Sequence, residues 1–184
     1  MKKIIAFGAS IGKASINKQL ASYVGGLMEG VDYEVLDLND FPLPIYSVDL
    51  EAEMGGQPAN AHSFFKKLQE ADGIVISLAE HNGAYSAGFK NLMDWVSRIK
   101  GEFFEGKPVF LMATAPGPRG GKSVLNIAEN RFPFHAADIT GTFSMPMFYD
   151  NFVDGDIVNE DLKLELNRYL DIFQSAVVTE AQLV

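Results

Sequence analysis

Short apolar runs alternate with longer, amphipathic ones along the chain. Residues 3–8 (KIIAFG), 33–38 (YEVLDL), 73–78 (GIVISL), 109–113 (VFLMA) and a stretch within 137–143 are short, largely rich in β-branched residues, and bounded by glycine or polar turns; each predicts a strand. Between them apolar residues recur at helical spacing. Ile16, Leu20, Tyr23, Val24 and Leu27 mark a helix over 15–28, and Phe64, Phe65 and Leu68 one over 58–71. Phe89, Leu92, Met93 and Val96 mark a third, stopped by Gly106-Lys107-Pro108, and two more follow over about 122–130 and 160–178. The proline-rich segment 39–47 (NDFPLPIYS) reads as an extended loop.

Five strands alternating with five helices predict an α/β fold of three layers, a parallel sheet covered on both faces by right-handed crossovers. Its natural small form has strand order 2-1-3-4-5. No repeat, low-complexity tract or linker divides the chain, so residues 1–184 are expected to form one domain.

Composition narrows the partners. With 47% hydrophobic and 21% charged residues the chain is ordinary globular protein. A net charge of -9 leaves no broad basic surface for nucleic acid or anionic lipid. The absence of cysteine removes disulfides, thiolate nucleophiles and thiolate metal sites. The N-terminal apolar run is too short for a signal peptide, and no window approaches a membrane span of about 18 apolar residues. A soluble, cytoplasmic protein with no membrane partner is expected.

In such a sheet a ligand lies beyond the carboxyl ends of the strands, near the point where strand order reverses, so the loops after strands 1, 3 and 4 matter most. The first runs Gly8-Ala9-Ser10-Ile11-Gly12-Lys13-Ala14-Ser15-Ile16-Asn17. Ser15 alone would serve as a helix cap, but Ser10, Ser15 and Asn17 together exceed what a cap uses and point to an anion at the helix start. The loop is not G-x-G-x-x-G, and no acidic residue ends strand 2 in the frame that holds a ribose, which favours a mononucleotide over a dinucleotide.

After strand 3 come Glu80, His81, Asn82, Gly83, Tyr85 and Ser86. Asn82 can donate and accept toward the edge of a heteroaromatic ring, whereas Asn-Gly by itself is equally a tight turn. After strand 4, Gly120-Gly121-Lys122-Ser123 imitates the end of a triphosphate loop. Pro116 stands where that motif needs its first glycine, however, and Pro116 and Pro118 delete amide donors. Gly117, Gly120 and Gly121 instead suit close approach to a flat ligand, or an ordinary turn. Histidines 62, 81 and 135 lack metal-ligand spacing, and no Gly-x-Ser-x-Gly elbow points to a hydrolase.

Taken together, the loops resemble the NADPH-dependent FMN reductase family, flavodoxin-like proteins that include quinone, azo and chromate reductases. The resemblance is carried by residues 8–17, by Leu43-Pro44-Ile45-Tyr46-Ser47, by Glu80-His81-Asn82-Gly83-Ala84-Tyr85 running into Leu92-Met93-Asp94-Trp95, and by Ala115-Pro116-Gly117-Pro118-Arg119-Gly120-Gly121. It implies that Ser10, Ser15, Ile16 and Asn17 hold the FMN phosphate. Gly12 stands where the family has arginine, leaving Lys13 as the neighbouring cation. It further implies that Glu80, His81, Asn82, Gly83 and Tyr85, with Pro116, Gly117, Gly120 and Gly121, address phosphate and ring. His81 replaces the family's tyrosine, and Ala79, Ala84, Ser86 and Ala115 also depart from the pattern.

The activity implied is transfer of hydride from NADPH or NADH through FMN to a quinone-like or other small electron acceptor, with no indispensable protein acid, base or nucleophile. The alternative is a flavodoxin-like protein whose FMN binding is weakened or lost, serving as a ligand-binding or electron-shuttle protein. The resemblance also implies a homodimer or dimer of dimers, so the apolar residues of the helix around Trp95 belong either to the core or to a subunit contact.

Overall fold

Each of the five short apolar runs becomes a strand in the computed structural model, which describes residues 1–179. Residues 180–184, the end of the expected single domain, lie outside the described residues. Strands β1 (Lys2–Ala9), β2 (Val31–Leu36), β3 (Gly73–Leu78), β4 (Pro108–Thr114) and β5 (Asp138–Met145) pair in parallel in the order β2-β1-β3-β4-β5, as expected. The longer helices are α1 (Ile16–Leu27), α2 (Val48–Met54), α3 (Ala59–Glu70), α4 (Ala87–Ile99), α5 (Lys122–Arg131) and α6 (Glu160–Thr179).

The period of two in β1 sorts its side chains between two cores. Ile5 and Phe7 pack with residues of α3, α4 and α5, whereas Ile4 and Ala6 pack with residues of α1 and α6. Both faces of the sheet are therefore covered, and β3 and β4 are buried along their whole length. That is why GIVISL and VFLMA read as continuous apolar runs rather than alternating ones.

Two expectations are corrected. Strand β2 runs from Val31 to Leu36 and not over 33–38. Leu38 is buried, but within a 3-10 turn at Leu38–Asp40, and Asp37 caps that turn by accepting the Asn39 amide at 2.9 Å. An acidic residue thus does follow the second strand. Its carboxylate is paired with Lys18, which together with the Asn39 amide lowers its pKa to about 2. The segment after it is not entirely extended either, because Ser47 caps the short helix α2 through the Leu50 amide at 3.1 Å.

Segment 43–47 is fastened to α4. Trp95 donates Nε1–H to the Pro44 carbonyl at 2.8 Å, and Asn91 donates to the same carbonyl at 2.9 Å while accepting the Tyr46 amide at 2.8 Å. Trp95 is fully buried within the chain, so it belongs to the core. At the other side, Gly8 lets the end of β1 pass against the start of α1, since a Cβ there would lie 2.3 Å from the Lys18 nitrogen.

Candidate functional site

The loops after β1, β3 and β4 lie side by side at the carboxyl edge of the sheet, and one side chain ties them together. Asn17, 3% exposed, accepts the Thr114 amide at 3.0 Å and the Ser77 hydroxyl at 2.8 Å through Oδ1, and donates Nδ2–H to the Thr114 carbonyl at 3.2 Å. Helix α1 is thereby pinned to the ends of β3 and β4. The resemblance assigns Asn17 to phosphate, but this side chain is occupied; the part of Asn17 positioned for a ligand is its backbone N–H.

Ser15 caps α1, its Oγ accepting the Lys18 amide at 3.2 Å. The amides of Ile16 and Asn17, first in the helix, have no acceptor inside it. Ser10 is half-buried and its Oγ accepts the Gly12 amide at 3.1 Å. Lys13 is exposed, and no carboxylate among the described residues pairs with its ammonium. This loop offers a hydroxyl, two amides and a cation, a donor set suited to phosphate.

The loop after β3 is a two-strand hairpin, Glu80–His81 against Ala84–Tyr85. Asn82 and Gly83 have φ of 53° and 78°, and two successive positive φ values make this the tight turn for which Asn-Gly is the preferred sequence. Glu80 is not free for a ligand through both oxygens. Its Oε2 accepts the Ser123 and Val124 amides at 3.0 and 3.2 Å and so caps α5, whose own N-cap, Gly121, supplies no side chain.

Tyr85 also turns inward. Its ring stacks on Phe132 at 6.1 Å and meets Phe89 edge-on at 5.6 Å; the hydroxyl is buried without a partner among the described residues, and burial pushes its pKa up to about 12. Ser86 caps α4 and donates to the Ala9 carbonyl at 2.8 Å, locking this loop to the end of β1. His81 stands exposed on the hairpin.

After β4, the carbonyls of Ala115 and Gly117 accept the amides of Phe148 and Met147, each at 3.1 Å. A Cβ on Gly120 would lie 2.5 Å from Ser144 Oγ, and one on Gly121 2.6 Å from the Ala113 Cβ. These two glycines are required by the protein's own packing. A Cβ on Gly117 would meet nothing within 4 Å, so that position faces open space.

Between hairpin and loop lies a cavity of about 760 Å³ lined by Glu80, Asn82, Gly83, Ala115, Gly117, Pro118, Arg119 and Gly121. Of the residues expected in the site, the cavity collects Glu80, Asn82, Gly83, Gly117 and Gly121. His81, Tyr85, Pro116 and Gly120 do not line it, and Ser10, Lys13, Ser15, Ile16 and Asn17 form the neighbouring phosphate-type loop. Arg119, Ser77 and Thr114 were not among the expected residues. Polar Ser77 inside the apolar run GIVISL was the available signal for the buried tie.

Among the described residues no group of three or more His, Asp or Glu could hold a metal, and no helix is long and apolar enough to cross a membrane. His135 is buried, its Nδ1 2.7 Å from the Gly101 carbonyl and its ring stacked on Phe103 at 4.5 Å. Burial lowers its pKa, and Arg131 lowers it further against the opposing Gly101 contact.

Comparison with known proteins matches residues 2–150 to the NADPH-dependent FMN reductase family. The chain is 28% identical to the quinone reductase of Escherichia coli (strain K12) over 123 residues, 65% of this chain but only 63% of that protein's length. It is 29% identical to the 2-hydroxy-1,4-benzoquinone reductase of a Burkholderia species over 185 residues, covering 95% of this chain and 96% of that one. In structure it is similar to the flavoenzyme NAD(P)H:(acceptor) oxidoreductase FerB of Paracoccus denitrificans, with a TM-score of 0.76, 24% identity, and coverage of 97% and 98%.

Proposed function

The chain belongs to the NADPH-dependent FMN reductase family, and from that premise we propose that it is an FMN-dependent NAD(P)H oxidoreductase acting on quinone-like or other small electron acceptors. FMN, when bound, supplies the hydride chemistry, taking two electrons from the nicotinamide and giving them to the acceptor. The observation that carries the proposal is the donor set of the first loop beside the cavity at the sheet edge.

Those residues fit the cofactor. Ser10, Lys13 and the amides of Ile16 and Asn17 suit the phosphate, with Ser15 and the buried side chain of Asn17 holding the helix start in place. Asn82, Gly83 and Gly117 line the space for the flat ring system. Glu80 and Gly121 line the same space while capping α5 and permitting close packing, and Tyr85 and Gly120, outside it, fill the core and permit close packing. His81 and Pro116, both exposed, are chain neighbours of lining residues. No side chain is assigned to proton transfer.

A second reading, a flavodoxin-like protein that holds FMN weakly or not at all, is favoured by Gly12, which presents no guanidinium to a phosphate. Steady-state oxidation of NADPH and NADH with 1,4-benzoquinone separates the two. FMN-loaded protein turning over faster than the same concentration of free FMN supports the reductase; equal rates support the second reading.

The assembly is read as a homodimer, supported by exposed Ile45 and Val48 near α4, at 86% and 69% of full exposure. Light scattering on the purified protein tests it. A cytoplasmic location fits an acidic chain without cysteine.

A further inference from the structure

The lysines and arginines of this protein are nearly all engaged. Among the described residues each one pairs with a carboxylate or lies over an aromatic ring, as Arg131 does over Phe134 and Arg168 over Tyr169, except Lys13, Arg119 and Lys122. All three stand at the carboxyl edge of the sheet. On a chain of net charge -9, cations left without partners at one edge mark where anions are received. Lys13 belongs to the phosphate-type loop after β1. Arg119 and Lys122 lie on the far side of β3, after β4, and Arg119 lines the cavity.

Resting on the reading of the chain as an NAD(P)H oxidoreductase, we propose that Arg119, with Lys122 beside it, binds a phosphate of the nicotinamide nucleotide. A neutral quinone offers a guanidinium only single carbonyl oxygens, whereas a phosphate carries charge and accepts its paired N–H donors in a stronger, charge-assisted contact. The loop is held ready for such a contact. Its carbonyls at Ala115, Gly117 and Gly120 accept hydrogen bonds from Phe148, Met147 and the Ser144 hydroxyl, and the Lys122 amide bonds back to the Arg119 carbonyl at 3.1 Å. Prolines 116 and 118 restrict it further. The one carboxylate in the cavity, Glu80, is already held by two amides at the start of α5, which offsets its repulsion of an anion.

The nucleotide carries two kinds of phosphate, the 2′-monoester of NADPH and the pyrophosphate shared with NADH. Calorimetric titration of NADP⁺ and NAD⁺ into FMN-loaded wild type, Arg119→Ala, Arg119→Lys, Arg119→Glu and Lys122→Ala proteins tests the proposal and separates the sources. Loss of a charge-assisted contact at an exposed position weakens binding about tenfold in Arg119→Ala, more in Arg119→Glu and less in Arg119→Lys. The effect of Lys122→Ala is smaller than that of Arg119→Ala. Loss for NADP⁺ alone assigns Arg119 to the 2′-phosphate, and equal loss for both assigns it to the pyrophosphate. Unchanged affinity for both nucleotides in Arg119→Glu overturns the proposal while leaving the reductase reading intact, as does a fall in FMN affinity in its place. A wild-type protein that binds neither nucleotide overturns both.

Discussion

Replacing Asn17 by alanine tests whether this side chain serves the fold. The substitution removes three buried hydrogen bonds and leaves the Thr114 amide, the Thr114 carbonyl and the Ser77 hydroxyl without their partner. A buried polar group left unpaired costs about 1–3 kcal/mol, so the loss is about 2–6 kcal/mol if one of the three recovers a partner. In a chain of this size each kcal/mol moves the melting midpoint by about 2–4 °C, which places Asn17→Ala about 10 °C below wild type. Asn17→Asp sharpens the reading. An ionised aspartate still accepts from Thr114 and Ser77 but turns a second acceptor toward the Thr114 carbonyl, so that variant should regain stability on acidification. Thermal unfolding followed by circular dichroism, without added ligand, is the assay. An Asn17→Ala midpoint within about 2 °C of wild type would refute the structural role.

Other positions make separate claims. Gly12→Arg restores a phosphate partner at a site where a Cβ meets only Ser10 Oγ at 3.4 Å; it should leave the melting midpoint unchanged and tighten FMN about tenfold in a fluorescence titration. Glu80→Ala removes the cap of α5 and should cost about 1 kcal/mol in urea unfolding, a deficit that vanishes if the cap is unimportant. Because His135 has a folded-state pKa below the ordinary value of 6.5, the unfolded chain binds its proton first on acidification. Its contribution to stability is therefore complete above about pH 6.5 and is lost as pH falls below it. Melting of wild type between pH 7 and 5.5 should fall more steeply than that of His135→Gln, and parallel curves would contradict the assignment.

Patterns that report burial were readable along the chain; partnerships were not. GIVISL and VFLMA announce central strands because both of their faces are covered, and Asn82-Gly83 announces its turn because only a few residue types adopt two successive positive φ values. Helix α2 escapes notice because none of its residues is buried, leaving no apolar stripe to detect. The end of β2 is misplaced because buried Leu38 continues the apolar pattern into a 3-10 turn. Between β4 and β5 the register slips at Val109 and Phe110, and the polar letters of DITGTFS leave the fifth strand placed only within 137–143, short of its end at Met145. Within the site, Asn17, Glu80 and Tyr85 have the right chemistry to touch a ligand, yet the fold uses their side chains for a strand tie, a helix cap and an aromatic stack. Spacing identifies which residues reach the sheet edge, and only geometry shows what each is bonded to.

The central claim is that the loop after β1 holds a phosphate while the cavity beside it holds a ring. Equilibrium titration of cofactor-free protein with FMN and with riboflavin, which lacks the phosphate, tests it most directly. The account predicts one FMN per chain, bound about 100-fold more tightly than riboflavin, with the difference narrowing as salt is raised. Equal affinity for the two, or binding of neither, would contradict it.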